Sequence, residues 1–283
     1  MLTTTATVKA NPMYVRTRGQ MKSRDLQSIP LLFVHGWWGG PWVWDPFIDF
    51  FTGLGFQCSA MDLSENCVTE FDVREGNVSF QQHLDRVLEK TRELGDPIVI
   101  GHSAGGLLTQ KLLEQVDLPA AVLVASAAPR GIFALRSLSV FRAILRHGPA
   151  ILLKRPLLPG KEEMCELNLN RLSPAEQSLV YDKMAPASAK QVIQIAITGI
   201  PVNAHCVTTP VMVINGTDDK LTPVSVAEAI AKKYGGALRT YSDSGHYIMQ
   251  EQGWEKVASD IQQWLSELFP GIRDAERNKQ VDA

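Results

Sequence analysis

The sequence predicts an α/β fold, a mostly parallel sheet flanked by helices and interrupted by an all-helical insertion. Three observations carry that expectation. Short branched apolar runs at 30–34, 98–100, 120–125 and 210–215 have the length and composition of strands buried on both faces. Segments of helical spacing alternate with them, as in parallel α/β folds. Between about 131 and 207 the alternation stops, and no convincing strand occurs. A chain of 283 residues has room for one large domain with such an insertion.

Taken in order, Val8 and Met13-Tyr14-Val15 read as short edge strands with Asn11-Pro12 as a turn. The strand at 30–34 runs into His35-Gly36-Trp37-Trp38-Gly39-Gly40, where Gly36 lets the chain fold back. A helix carrying Phe47, Ile48, Phe50, Phe51 and Leu54 follows, then a strand over 56–61. Ser79 is placed to cap a helix over 80–94, with His83 facing solvent, and Gly95-Asp96-Pro97 ends it. The strand at 98–100 leads into a helix from Leu107, and 120–125 is the next strand. In the insertion, Leu135, Leu138, Phe141, Ile144 and Leu145 repeat at helical spacing, and two further helices precede the strand at 210–215. A helix over 224–234, a strand over 237–241 and an amphipathic helix over 254–268 complete the pattern. This divides the chain into a core (1–130 and 208–270), a helical insertion after the sixth predicted strand (131–207) and a frayed polar tail (271–283).

Composition closes off several function classes. A formal net charge of −2 gives no basis for nucleic-acid binding. No apolar run reaches the roughly 18 residues of a membrane span, so stable membrane insertion is not expected. The N-terminus lacks a basic start and an apolar stretch, and the four cysteines form no C-x-x-C pair. Reduced thiols in a cytoplasmic protein are the expectation. Neither a phosphate-binding glycine loop after a strand nor a metal-ligand cluster is present, so no cofactor is expected. From Arg130 to Lys161 there are seven Lys/Arg and no acid, which reads as a solvated face of the insertion.

The chemistry concentrates at Gly101-His102-Ser103-Ala104-Gly105, a G-x-S-x-G elbow between a predicted strand and a predicted helix. A turn that sharp strains its pivot, lifts the Ser103 hydroxyl off the sheet edge and leaves the Ala104 N–H at a helix N-terminus. With its partners downstream, this pattern resembles the α/β-hydrolase superfamily over roughly residues 30–268. The resemblance implies a serine nucleophile at Ser103, a base at His246 after the final strand and an acid between them in chain order. The family spacing of Gly, Asp and Pro is met by Gly216, Asp219 and Pro223, with Asp218 one residue short. It implies backbone oxyanion donors at Trp37 and Ala104, a helical cap, and a structural rather than catalytic His35. Serine at the elbow argues against the dehalogenases and epoxide hydrolases of this fold, which resemble it but use aspartate there. Trp38, His102, Leu138 and Phe141 are the candidate pocket residues. The expected activity is hydrolysis of a neutral, lipophilic carboxylic ester or lactone, a macrolactone included, through an acyl-enzyme. A carbon–carbon bond hydrolase or hydroxynitrile lyase using the same residues, and a non-catalytic ligand receptor, stand as alternatives.

Overall fold

The computed structural model describes residues 25–63, 78–132, 146–151, 153 and 155–270. Its centre is a six-stranded sheet in which every neighbouring pair is parallel. The strands are β1 (Leu31–Val34), β2 (Cys58–Met61), β3 (Ile98–His102), β4 (Ala121–Val124), β5 (Val211–Gly216) and β6 (Ala237–Tyr241). Their spatial order is β2-β1-β3-β4-β5-β6. The insertion leaves the sheet after β4. The two N-terminal strands that would make β4 the sixth, at Val8 and 13–15, lie outside the described residues.

Alternation along the strands separates two cores. Leu31, Phe33, Ile98, Ile100, Val122, Val124, Met212 and Ile214 face one side. There they meet Phe47 and Phe51 of α1 (Asp45–Gly53) and the Val257–Ile261–Trp264–Leu265 stripe of the C-terminal helix, Trp254–Leu268. Leu32, Val34, Val99, Ala121, Leu123, Val211 and Val213 face the other side. These are covered by α2 (Phe80–Leu94), α3 (Ala104–Leu112) and the helix Val224–Tyr234. Ser79 and Gln82 form a reciprocal capping box on α2, and Gly95 ends it in the left-handed region at φ 71°.

The insertion is helical where it is described. It contains α4 (Lys161–Leu167), α5 (Pro174–Asp182) and α6 (Ala189–Val192), which continues as a π-helical turn over Ile193–Thr198. An isolated antiparallel bridge joins Leu157 to Ala187. The core resumes with α7 (Val224–Tyr234) and ends in α8 (Trp254–Leu268).

Strand order fixes where a site can form. From β1 the chain crosses to β2 on one side, and from β3 it crosses to β4 on the other. The loops leaving β1 and β3 therefore diverge, and a crevice opens between their carboxyl ends. The segments 35–40 and 102–104 both begin there.

Candidate active site

Ser103 occupies the step from β3 into α3 with φ 51° and ψ −119°, a conformation that a residue with a Cβ rarely adopts. The fold holds it there with backbone bonds. Its N–H donates to Val124 O (3.0 Å), and its carbonyl accepts from the N–H groups of Ala127 (2.9 Å) and Leu107 (3.2 Å). The glycines around it are required by contact. A Cβ on Gly105 would lie 2.3 Å from Val34 O, and one on Gly36 would lie 2.7 Å from the Ser103 Cβ. The loop after β1 is thus pressed directly against the elbow. Ala104 is the first residue of α3, so its N–H has no partner within the helix and sits at the positive end of the helix dipole.

Asp219 and His246 come together at the same sheet edge. His246 Nδ1 lies 2.8 Å from Asp219 Oδ2, and both side chains are almost fully buried. The carboxylate is completely occupied. Its Oδ1 accepts from the backbone N–H of Leu221 and of Thr222, each at 2.8 Å, and its Oδ2 accepts from Thr222 Oγ1 at 2.6 Å. A carboxylate held by three other donors makes Nδ1 of His246 the protonated nitrogen, which leaves Nε2 as the basic one. Asp218 takes no part in this. Its side chain is 41% exposed and reaches Arg171 Nη1 at 3.4 Å.

Two histidines act as struts. His35 Nε2 accepts from the N–H of Leu63 (3.1 Å), so its Nδ1–H donates to the carbonyl of Gly36 (2.8 Å). Burial lowers its pKa and keeps it neutral. His102 Nε2 donates to the backbone carbonyl of His246 (3.0 Å), and burial holds its pKa well below the ordinary value. Its ring packs beside Tyr247 and Trp44, with centroids 5.5 and 6.4 Å away. The expectation that His102 lines the pocket is therefore corrected. It pairs with Val124 across β3 and β4 and shares that residue's inward face of the sheet, while the elbow turns only the next residue outward.

The cavity itself has a volume of about 300 Å³. Trp37, Trp38, Ser103 and Ala104 form part of its wall, and Ile151, Leu157, Met164, Leu167, Val192 and Ile195 supply apolar surface from the insertion. Leu138 and Phe141 lie outside the described residues. The two tryptophans tie the β1 loop to the insertion. Trp37 Nε1 donates to Gln191 Oε1 (3.2 Å), and Trp38 Nε1 donates to the carbonyl of Leu157 (2.9 Å). Gln191 in turn donates from Nε2 to His83 Nδ1 (2.9 Å). The expectation of a solvent-facing His83 is corrected here: burial pushes its pKa down to about 4, and it serves as a neutral acceptor.

Several residues that shape the site carried no sequence signal. Gln191, Asn168 and the hydrogen-bonded pair His147–Glu163 (3.1 Å) meet it through contacts distant in sequence, whereas Thr222 meets it through Asp219, three residues away. Glu251 is another. It is buried, its Oε2 accepts from the N–H of Gly245 (2.6 Å), and burial pushes its pKa up to about 7. Among the described residues its Oε1 and Asn170 Oδ1 both lack a partner, and they lie 2.9 and 2.8 Å from the Cβ position of Gly245. A proton on Glu251 removes the charge that burial disfavours. The folded state therefore binds that proton more tightly than the unfolded chain. Stability contributed in this way is present below pH 4.5 and is lost as pH rises towards about 7. Glu251→Gln mimics the protonated, uncharged acid. The variant is expected to match the parent near about pH 5 and to exceed it by about 2–3 kcal/mol near about pH 8 in denaturant unfolding. Equal stabilities at the higher pH would contradict a protonated Glu251.

Comparison with known proteins places the fold. The family model described as the Alpha/beta hydrolase family matches residues 31–260. Among solved structures, an extracellular α/β-hydrolase from a Paenibacillus species is similar, with a TM-score of 0.67 at 17% identity, covering 83% of this chain and 98% of its own. A methylesterase from Arabidopsis gives a TM-score of 0.65 at 17% identity, covering 84% and 99%. A monoacylglycerol lipase from Paleococcus ferrophilus gives 0.60 at 18% identity, covering 85% and 96%. Among the described residues, no helix is long and apolar enough to cross a membrane.

Proposed function

Because the chain belongs to the alpha/beta hydrolase family, we propose that it is a serine hydrolase acting on a neutral, largely apolar carboxylic ester or small lactone. One observation carries the reading: the buried Asp219–His246 pair, with Nδ1 committed to the carboxylate, shares a sheet edge with a strained Ser103 that opens into a cavity. In this reading the Ser103 hydroxyl attacks the ester carbonyl while His246 Nε2 takes its proton. Negative charge on the carbonyl oxygen is met by the N–H groups of Ala104 and Trp37. His246 then protonates the leaving alcohol, and water repeats the sequence on the acyl-enzyme. Asp219 stays ionised and steadies the imidazolium.

The printed names of the Arabidopsis and Paleococcus proteins, a methylesterase and a monoacylglycerol lipase, support ester chemistry as the class. The apolar insertion wall supports a neutral substrate. A volume of about 300 Å³ lies at the low end of ligand pockets, which favours a compact ester or lactone over a macrolactone. The test is a screen of p-nitrophenyl esters and lactones of graded size, with Ser103→Ala measured alongside. Turnover that falls off with bulk and vanishes in the variant is expected. A folded protein that turns over no member of the screen would remove the hydrolase reading.

A further inference from the structure

Resting on that hydrolase reading, we propose that the substrate carries a hydroxyl group on the part that reaches the insertion, and that Asn168 recognises it. The residues Glu163, Met164, Leu167 and Asn168 recur at the spacing of one helix face on α4 and its C-cap, and all four line the cavity that holds Ser103. Met164 and Leu167 are apolar. Asn168 is 1% exposed, and among the described residues its Oδ1 has no hydrogen-bond partner. A buried carbonyl is costly to leave unpaired, so such a group in a cavity wall marks a place for a donor.

The chemistry of that donor follows from the neighbours. Glu163 is the acid on this wall, and its carboxylate is already engaged: Oε2 accepts from His147 Nε2 (3.1 Å) and from Arg146 Nη1 (3.2 Å). It is not left free to draw in an ammonium group. The unmet demand is a neutral acceptor on a wall that Ile151, Leu157, Val192 and Ile195 make largely apolar. A hydroxyl meets it without bringing a charge into an apolar space. A plain alkyl ester packs against this wall and leaves Oδ1 unpaired, whereas a hydroxylated one supplies its donor.

The experiment compares kcat/KM for plain esters with their hydroxylated counterparts, in two series. One series carries the hydroxyl on the acyl chain, as p-nitrophenyl hydroxyalkanoates. The other carries it on the alcohol, as monoesters of diols. In one of the two series the hydroxylated member is expected to exceed its plain partner by about tenfold or more. Asn168→Leu, close in size, is expected to bring that ratio to near one. Should that variant fail to fold, Asn168→Asp takes its place. It keeps an acceptor and adds a charge, and is expected to shift preference towards the amino analogue of the favoured hydroxy ester. Plain esters turned over at the same rate as hydroxylated ones in both series would overturn the inference while leaving the hydrolase reading intact. A preference for keto over hydroxy counterparts, a ratio that survives in Asn168→Leu, or an Asp variant indifferent to the amino analogue would overturn it too. Absence of turnover for every ester would overturn both readings together.

Discussion

Ser103→Ala is expected to lower ester turnover by a factor on the order of 10⁴ or more and to leave the fold in place. The size follows from what the hydroxyl does. In the proposed reaction it is the only atom of the residue that bonds to substrate, and without it no acyl-enzyme would form, so what would remain is positioning and oxyanion stabilisation. The structural silence follows from the backbone. Ser103 is held by Val124, Ala127 and Leu107 through main-chain bonds that alanine makes equally well. Its positive φ burdens alanine as it burdens serine, since both carry a Cβ. Stability is therefore expected to change by less than about 1 kcal/mol. The measurement is kcat/KM on the best ester of the screen, with unfolding followed in parallel. A folded variant retaining a substantial fraction of parent activity would move the nucleophile elsewhere.

What the sequence made legible was the repeating frame. Strands buried on both faces announce themselves as unbroken branched runs, and β1, β3, β4 and β5 do so. Helices whose ends are chemically marked are equally plain: Ser79, Gln82 and Gly95 bound α2 to the residue. The candidate site was readable where its residues follow strands, because a parallel sheet delivers the ends of all its strands to one edge. Ser103, Asp219 and His246 each follow a strand, and the structure joins His246 to Asp219 at that edge. Contacts made across the insertion were not readable. His83 meets Gln191 108 positions away, and Trp37 reaches the same residue over 154 positions, so helical phase at 83 could not reveal a partner. The two tryptophans of the β1 loop serve twice. Each ring walls the cavity while its indole N–H anchors the loop to the insertion. His102, expected in the pocket wall, instead shares the inward sheet face of Val124, because consecutive side chains along a strand point to opposite sides.

The contrast between the adjacent aspartates gives the second large effect. Asp219→Asn is expected to cost about 10⁴ in kcat, by analogy with the serine-protease triad, whereas Asp218→Asn is expected to stay within about a factor of two. The bonding around Asp219 explains the difference. Its Oδ1 is committed to the N–H groups of Leu221 and Thr222, which an asparagine can satisfy only by keeping its carbonyl oxygen there. The amide N–H₂ of that asparagine must then replace Oδ2, pointing donors at Thr222 Oγ1 and at His246 Nδ1. His246 Nδ1 becomes an acceptor, the proton moves to Nε2, and the imidazole can no longer take a proton from Ser103. Rotating the amide does not help, because it would set N–H₂ against two backbone N–H groups. Asp218 loses only an exposed ion pair with Arg171, whose two partners are both more than a third exposed. Thr222→Val tests the same geometry from the other side. It removes a donor to Oδ2 while preserving the carboxylate, so a loss of about tenfold, far milder than Asp219→Asn, is expected. Steady-state kinetics on one ester ranks the three variants. If Asp218→Asn proved the more damaging of the two aspartate changes, the acid would have to be reassigned, and the bond from His246 to Asp219 would be only structural.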